Sequence, residues 1–295
     1  MEPFVVGMLY LIIGTTGVLS NLVILVTFIN GNVIPSPKHV LHAHFAVANI
    51  GVIAGSAFPS LSIMSGRWLF GEIGCQAYGF EGFLFGVSAI GFVVALGLER
   101  YLINTRPDKC SSITTKQMHL FAMVVWAQGL FWATMPLLGW SRYTKEPTGT
   151  SCTIDWTAAD DNHVSYITSL TTFGFGVPVL VVGHFLLQSY KTLRCKYSDA
   201  ESNKQGEMSE IQLLKIVTFI LLMTLVMWSP YAFNCMYSVM IGGDQNPSLL
   251  RVALPALCAK GGTTFLPLIY PAVSLEFRQG LKRLFVAGAK SSKKK

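Results

Sequence analysis

The stretch Ser248–Val273, SLLRVALPALCAKGGTTFLPLIYPAV, is an apolar run that carries a lysine near its centre. A membrane-spanning helix needs roughly 20 predominantly apolar residues, and this run is long enough. Lys260 lies about 15 Å from either end of the run at ~1.5 Å of rise per residue, so its side chain is too short to reach water. Burying an ammonium at that depth costs at least ~2.5 kcal/mol, and an ionisable residue there is a functional hypothesis by default.

Six further runs of similar length and character precede this one, and together they predict an all-α membrane protein, a bundle of seven membrane-spanning helices. The chain is 52% hydrophobic and 13% charged, whereas a water-soluble domain is about one quarter charged. The predicted spans, numbered one to seven, are Phe4–Ile29, Val40–Met64, Cys75–Leu102, Met118–Trp140, Ser165–Tyr190, Ile211–Ile241 and Ser248–Val273.

A short amphipathic cytoplasmic helix, Leu275–Val286, is predicted to lie on the membrane after the seventh span. Its apolar side chains alternate with basic ones that would point towards lipid headgroups. We therefore divide the chain into a seven-helix domain, residues 1–274, and an amphipathic helix with a basic cytoplasmic tail, residues 275–295.

The lysines and arginines predict the orientation of the bundle. Seventeen of the 22 fall in the first, third and fifth loops or in the C-terminal tail, and four fall on the opposite side. Because positive charge collects on the cytoplasmic side, we expect a multi-pass protein with its N-terminus extracellular or lumenal and its C-terminus cytoplasmic. The net charge of +7 is then a topology signal that favours a lipid bilayer as partner and argues against nucleic acid.

Two cysteines fall on the outer side of the membrane. Cys75 lies at the start of span three, and Cys152 lies in the long loop after span four. Because that side is oxidising, we predict a disulfide bond between them.

Lys260 allows two interpretations from its position alone. It could pair with a carboxylate inside the bundle, or it could be a nucleophilic amine, because burial favours the neutral form that attacks an aldehyde to give a Schiff base. Trp228 and Tyr231 lie one turn apart at the proline of span six, where they could clamp a flat conjugated chain or serve in ordinary helix packing. Span three offers small surfaces that a ligand or another helix can approach, at Gly79, Gly82, Gly86 and Ala89.

Motifs along most of the chain resemble those of the animal opsins, seven-helix receptors of the rhodopsin class. The matching segments are Gly17–Asn21, Ala46–Ala48, Glu99–Tyr101, Trp126, Pro178, Trp228–Tyr231, Pro255-Ala256, Ala259-Lys260 and Pro267–Tyr270. The predicted pair of Cys75 and Cys152 fits the same pattern. The resemblance implies that Lys260 attaches retinal through a Schiff base. A microbial light-driven pump also has such a lysine, but not the Glu-Arg-Tyr triplet or the outer disulfide.

A protonated Schiff base in a dry site needs a carboxylate nearby, and two carboxylates are candidates. Glu146 lies six residues before Cys152, and by that spacing it matches the counterion of opsins that lack an acid near the top of span three. Vertebrate visual opsins have that acid three residues after the cysteine of span three, where this chain has Tyr78. We expect Glu146 to be the counterion and Glu81, one turn below Tyr78, to be its rival. The expected retinal pocket consists of Tyr78, Gly79, Gly82, Trp228, Tyr231 and Ala256.

Three segments resemble one branch of the opsins in particular, that of retinochrome, peropsin and the pigment-epithelium retinal receptor. These segments are Gly66–Gly71, Leu130–Trp140 and Glu146–Asp155. Members of that branch tend to bind all-trans retinal in the dark and to convert it to the 11-cis form in light. The resemblance implies a light-driven retinal isomerase rather than a conventional enzyme, with retinal as its chromophore and a retinal-carrier protein as a candidate partner.

Three departures from the pattern of signalling opsins support the isomerase interpretation. Asn49 stands where those opsins usually have Asp in span two, and Leu186 stands where they have Tyr in span five. Leu266 replaces the Asn of the Asn-Pro-x-x-Tyr motif in span seven. These polar groups form the network that opens the cytoplasmic side to a G protein, so their replacement removes hydrogen-bond partners of the open state.

The cytoplasmic switch motif of Glu99, Arg100 and Tyr101 favours the alternative, a light-sensing receptor coupled to a heterotrimeric G protein. Glu210, at the base of span six, could pair with Arg100 as in an inactive receptor. A receptor for a diffusible ligand, the third interpretation, would leave Lys260 unexplained. We predict no metal site.

Overall fold

The structure is a computed structural model that describes residues 2–30, 38–106, 113–155, 157–158, 160–198, 204–241 and 247–292. Within these ranges, seven helical stretches have the length and apolar character needed to cross a membrane. They cover Glu2–Ile29, His39–Met64, Gly71–Thr105, Thr115–Leu138, Asp161–Lys196, Glu210–Met240 and Leu249–Val273. The predicted bundle of seven spans is confirmed, and the ends of the observed spans lie close to the predicted ones.

Several spans are built from more than one element. The α-helices are α1 (Glu2–Asn30), α2 (Lys38–Ala54), α3 (Ala57–Met64), α4 (Gly71–Thr105), α5 (Thr115–Thr134), α6 (Asp161–Ser169), α7 (Val177–Ser198), α8 (Lys204–Ile241), α9 (Leu249–Phe265), α10 (Ile269–Val273) and α11 (Leu275–Ser292). Short 3-10 helices cover Met135–Leu138 and Leu266–Leu268, and a π-helix covers Leu170–Gly176. Two strands, β1 (Tyr143–Lys145) and β2 (Cys152–Ile154), pair as an antiparallel hairpin.

Span three, which is α4, runs through the centre of the bundle. Phe92 and Leu96 on α4 are fully buried in a core that also contains Ile220 of α8. Large apolar side chains on the outward faces of other spans are exposed, for example Leu180 at 74% and Val226 at 66%. Such an extended apolar surface marks a membrane boundary, so these faces are the ones that lipid covers.

The amphipathic helix α11 follows span seven directly. The Ser274 hydroxyl caps its first turn by accepting a hydrogen bond of 3.1 Å from the backbone N–H of Phe277. Phe277 is buried, and its ring centroid lies 5.7 Å from that of Tyr270. The helix continues to Ser292, beyond the predicted end at Val286. The contact between Phe277 and Tyr270 fastens α11 to the cytoplasmic end of span seven.

Span two is broken between α2 and α3, at Gly55 and Ser56. The backbone N–H of Ser56 donates to the carbonyl of Ile53 at 3.0 Å, three residues back, rather than to that of Val52, four residues back. A carbonyl that loses its helical partner can accept a hydrogen bond from a side chain. The break therefore leaves the Val52 carbonyl available inside the bundle.

The β-hairpin lies over the outer end of the bundle. Its strand β2 is linked to span three by a disulfide bond between Cys75 and Cys152, which confirms the predicted pairing. The Trp68 backbone N–H donates to the carbonyl of Gly149 in the hairpin turn at 2.7 Å. On the solvent side, Arg142 and Asp155 form an ion pair of 2.8 Å. The hairpin is thus fastened at both of its ends.

Candidate functional site

A cavity lies in the outer half of the bundle, between spans two, three, five, six and seven and beneath the β-hairpin. The space amounts to about 950 Å³ when its open mouth is counted. Lys260 and Glu146 both line it, within walls that are mostly apolar. The residues predicted for the pocket all line it as well: Tyr78, Gly79, Gly82, Trp228, Tyr231 and Ala256.

Two glycines of span three shape the floor and the side of this cavity. The Trp228 indole packs directly on Gly86, where an added Cβ would lie 2.8 Å from the ring. At Gly82, one turn further out, an added Cβ would meet nothing within 4 Å. Gly86 therefore allows Trp228 to close the cavity from below, and Gly82 leaves room for a ligand beside span three.

The β-hairpin is held as a roof by contacts of its own side chains. The Tyr143 ring packs on Gly79, where an added Cβ would lie 2.5 Å from the ring, and its hydroxyl donates to the Ala133 carbonyl at 2.9 Å. The hydroxyl oxygens of Thr153 and Tyr231 lie 2.7 Å apart, in hydrogen-bond contact. Roof and span six are thus joined across the cavity, which restricts the entry of water.

Glu146 comes to the cavity wall because the hairpin turn places it there. Its backbone N–H donates to the Ser151 carbonyl at 2.9 Å, and its carbonyl accepts from Gly149 at 2.8 Å. The residue is 8% exposed. Burial raises the pKa of the Glu146 carboxyl to about 8, and a hydrogen bond with the Ser151 side chain opposes that shift. A cation in the cavity would reverse the effect of burial, because opposite charge favours the carboxylate.

The raised pKa of Glu146 predicts a pH dependence of stability before any ligand is added. An exposed glutamate has a pKa of 4.5, so between about pH 4.5 and pH 8 the folded protein holds this proton and the unfolded chain does not. The free energy of unfolding then falls as the pH rises through that window. We expect the Tm of the wild-type protein to fall by at least ~2–4 °C more than that of the Glu146→Gln variant between pH 5 and pH 8.5. Parallel curves of Tm against pH for the two proteins would contradict the prediction.

The Lys260 side chain lies against span two, at one end of the cavity. It is 7% exposed, and its Nζ donates a hydrogen bond of 2.5 Å to the carbonyl oxygen of Val52. The same nitrogen lies 5.6 Å from the centre of the Tyr78 ring, in a cation–π contact. The Val52 carbonyl, which the break in span two leaves available, therefore binds the Lys260 amine.

Glu81 is placed differently from Glu146. Glu146 lines the cavity, whereas Glu81 is not among the described residues that line it. The Glu81 carboxylate packs on the backbone of Gly55, where an added Cβ would overlap it, and its charge acts on that of Lys260. Tyr78 lies within electrostatic reach of both carboxylates and hydrogen-bonds with the Ser151 side chain. The charge of Glu81 thus acts on Lys260, whereas Glu146 shares the wall of the same cavity with the lysine.

The cytoplasmic end of the bundle holds the switch motif in an ion-pair cluster. Arg100 is 1% exposed, and its guanidinium lies 3.0 Å from the Glu99 carboxylate and 3.1 Å from that of Glu210. The Tyr101 ring stacks on Phe185 with 5.1 Å between centroids. The structure thus brings Arg100 and Glu210 together, as proposed from the sequence, and ties span three to span six.

Two sets of cavity residues were not predicted from the sequence. Ser151 and Thr153 line the cavity on either side of Cys152, and their nearness to that tethered cysteine is a signal that could have identified them. Thr171 and Phe175 line it from the π-helix in span five. A π-turn is wider than an α-turn and is frequent at functional sites, but nothing in the local sequence predicts its position.

The chain is similar to known proteins over most of its length. Residues 20–268 match the family described as "7 transmembrane receptor (rhodopsin family)". The chain is 32% identical to "Visual pigment-like receptor peropsin" of Homo sapiens, over 96% of this chain and 85% of that protein. It is 31% identical to retinochrome of Todarodes pacificus, over 91% of this chain and 89% of that protein. Squid rhodopsin matches with a TM-score of 0.86 at 23% identity, over 96% of this chain and 85% of that chain, which shows a shared fold.

Proposed function

The chain belongs to the rhodopsin family of seven-transmembrane receptors and is an opsin, and we propose that it acts as a light-driven retinal isomerase. Its opsin relatives imply a retinal chromophore, and its seven spans make it an integral multi-pass membrane protein. The finer proposal is that all-trans retinal binds in the dark and that light converts it to the 11-cis form. Similarity to retinochrome and peropsin supports this assignment.

The observation that carries the proposal is the place of the Lys260 amine. It lies at the wall of an apolar cavity that Trp228 closes from below and the β-hairpin covers from above. An aldehyde on a long conjugated chain needs a buried amine at one end of its site and apolar walls along the rest. The residues present fit retinal in both respects, and Lys260 would hold it through a Schiff base.

The protein would supply shape, dryness and charge around the chromophore. Bound there, retinal supplies the absorption of light and the double bond that isomerises. Trp228 and Tyr231 bound the cavity along span six, while Gly82 leaves space beside span three. The hydrogen bond between Thr153 and Tyr231 holds the roof closed. These contacts are what would favour one product geometry over another.

We further propose that Glu146 is the counterion of the bound chromophore. Glu146 lines the cavity that the chromophore would occupy, and its side chain is buried. Its pKa, raised by burial to about 8, means that a nearby cation would be needed to keep it ionised at neutral pH. A positive Schiff base at Lys260 is such a cation.

The cytoplasmic half of the bundle favours an isomerase over a signalling receptor. Tyr270 of span seven lies with its hydroxyl 2.6 Å from Nδ1 of His42, in a buried contact with span two. Leu186 in span five is buried and has no hydroxyl with which Tyr270 could bond if the cytoplasmic side opened. Asn49 and Leu266 are buried as well and lack the groups usual in signalling opsins. The closed arrangement thus has polar contacts that an open one would lose.

One observation favours the second candidate function, a sensory opsin that activates a G protein. Arg100 is held by both Glu99 and Glu210, and an ion-pair lock of this kind is useful to a protein that opens on activation. The two functions are separated by nucleotide exchange on a heterotrimeric G protein.

We expect the illuminated, retinal-loaded protein to give no more nucleotide exchange than its Lys260→Ala variant, which cannot hold the chromophore. The reason is the loss of open-state partners at Leu186 and Leu266. The assay counts labelled GTP bound per minute in light and in darkness, with several classes of G protein. Light-dependent exchange several-fold above the Lys260→Ala background would favour the sensory opsin instead.

A further inference from the structure

The amine of Lys260 and the carboxylate of Glu81 contact the same turn of span two. Lys260 donates to the Val52 carbonyl, and the Glu81 carboxylate packs on the Gly55 backbone, where an added Cβ would overlap it. Residues three positions apart are neighbours on one helical turn. The break in this span therefore brings the cation and the anion to one turn.

The break is what makes the Val52 carbonyl available. In an unbroken helix the Val52 carbonyl would accept from the Ser56 N–H, which here donates to Ile53 at 3.0 Å. Gly55 also has the space that this arrangement needs, because an added Cβ there would overlap the Glu81 carboxylate. The sequence Gly55-Ser56 thus builds a small polar site into an apolar span.

Glu146 does not share this site. It lines the cavity from the roof, where Ser151 is its hydrogen-bond partner. Glu81 of span three is not among the described residues that line the cavity and instead packs against span two. The carboxylate whose charge acts on Lys260 is Glu81. Glu81 thus lies on the side of Lys260 that faces span two, whereas Glu146 faces the ligand space.

We propose that the Val52 carbonyl and Glu81 form a binding site for the free amine of Lys260, with Glu81 as the positioning residue that compensates its charge. The two carboxylates then have different roles. Glu81 compensates the charge of the free lysine, and Glu146 compensates the charge of the lysine that carries a chromophore. The role of Glu146 rests on the proposed function, whereas the pairing of Glu81 with the amine does not depend on it.

The test is a double-mutant cycle on the full-length protein in detergent, without retinal, with Tm as the readout. The variants are Glu81→Gln, Lys260→Met and both together. Glutamine keeps the size of the side chain and one of its two oxygens, so the change removes the charge with little change of shape. We expect Glu81→Gln to lower Tm by about 2–4 °C or more, and to lower it much less, or to raise it, when Lys260 is already Met.

Two controls separate charge pairing from general damage. Glu146→Gln in the same cycle should show no coupling to Lys260→Met at pH 6. Gly55→Ala should displace the Glu81 carboxylate and reproduce the loss seen in Glu81→Gln, whereas Gly183→Ala, where an added Cβ meets nothing within 4 Å, should not. Gly55→Ala also keeps the test decisive if Glu81→Gln does not fold.

Additive changes in Tm for Glu81→Gln and Lys260→Met would overturn the proposal, and so would coupling of Lys260 to Glu146 in place of Glu81. An effect of Gly55→Ala that is equal with Lys and with Met at position 260 would overturn it as well. A failure of retinal to bind would refute the proposed function and leave this coupling intact, so the two ideas fail separately.

Discussion

The Lys260→Ala protein is expected to form no visible pigment when retinal is added in the dark, whichever isomer is used. Among the described residues that line the cavity, Lys260 is the one lysine, so no other lysine there could hold the aldehyde. Without an amine the aldehyde cannot bond covalently, and its absorption stays that of free retinal in the near ultraviolet. The loss should be complete rather than partial, because the step removed is the attachment itself.

The matched control for this variant is Lys116→Ala, which removes an exposed lysine at the cytoplasmic start of α5. It should form pigment to the wild-type level. Treatment with borohydride and then denaturant adds a second readout, since a reduced link at Lys260 survives unfolding. A visible band in Lys260→Ala, or a reduced link mapped to another residue, would contradict the assignment of the attachment site.

The Glu146→Gln protein is expected to bind retinal at Lys260 and to lose most of its visible absorption at neutral pH. The carboxylate would no longer compensate the positive Schiff base, and a charge buried without a partner gives up its proton. An unprotonated Schiff base absorbs in the near ultraviolet. The measurement is the absorption spectrum of the reconstituted protein between pH 5 and pH 9.

Glu81→Gln is the control for the counterion, because it removes a carboxylate near the same lysine from outside the cavity wall. We expect it to keep the visible band at neutral pH. If Glu81→Gln loses the band and Glu146→Gln keeps it, then Glu81 is the counterion and the assignment to Glu146 is wrong.

The parts of the fold that the sequence predicts well are those set by the bilayer. Each span needs roughly 20 apolar residues, so the seven runs can be read directly, and the observed spans agree with them. Lys260 stood out for the same reason, as a charge at the depth where charge is most costly. The place of Glu146 was predicted from the resemblance to opsins, because its spacing of six residues from Cys152 matches theirs.

The features that the sequence does not predict depend on the rotation and breaks of helices. Whether Glu81 faces the cavity or span two depends on the rotation of span three about its axis, which apolar residues on nearly all faces leave undetermined. Neither the break at Gly55 and Ser56 nor the π-helix Leu170–Gly176 was predicted from the sequence. The contact between His42 and Tyr270 joins residues 228 positions apart, and no local sequence pattern predicts it.

The division between isomerase and receptor rests on what the chromophore becomes in light. The most direct measurement is to load the purified protein with all-trans retinal in the dark, illuminate it, and extract and chromatograph the retinal isomers. The Lys260→Ala protein, treated in the same way, corrects for the photochemistry of free retinal. The proposed function predicts that all-trans retinal forms the pigment and that 11-cis retinal is the main product after light. Pigment that forms with 11-cis retinal alone, and that light converts to the all-trans form, would contradict it and identify a sensory opsin.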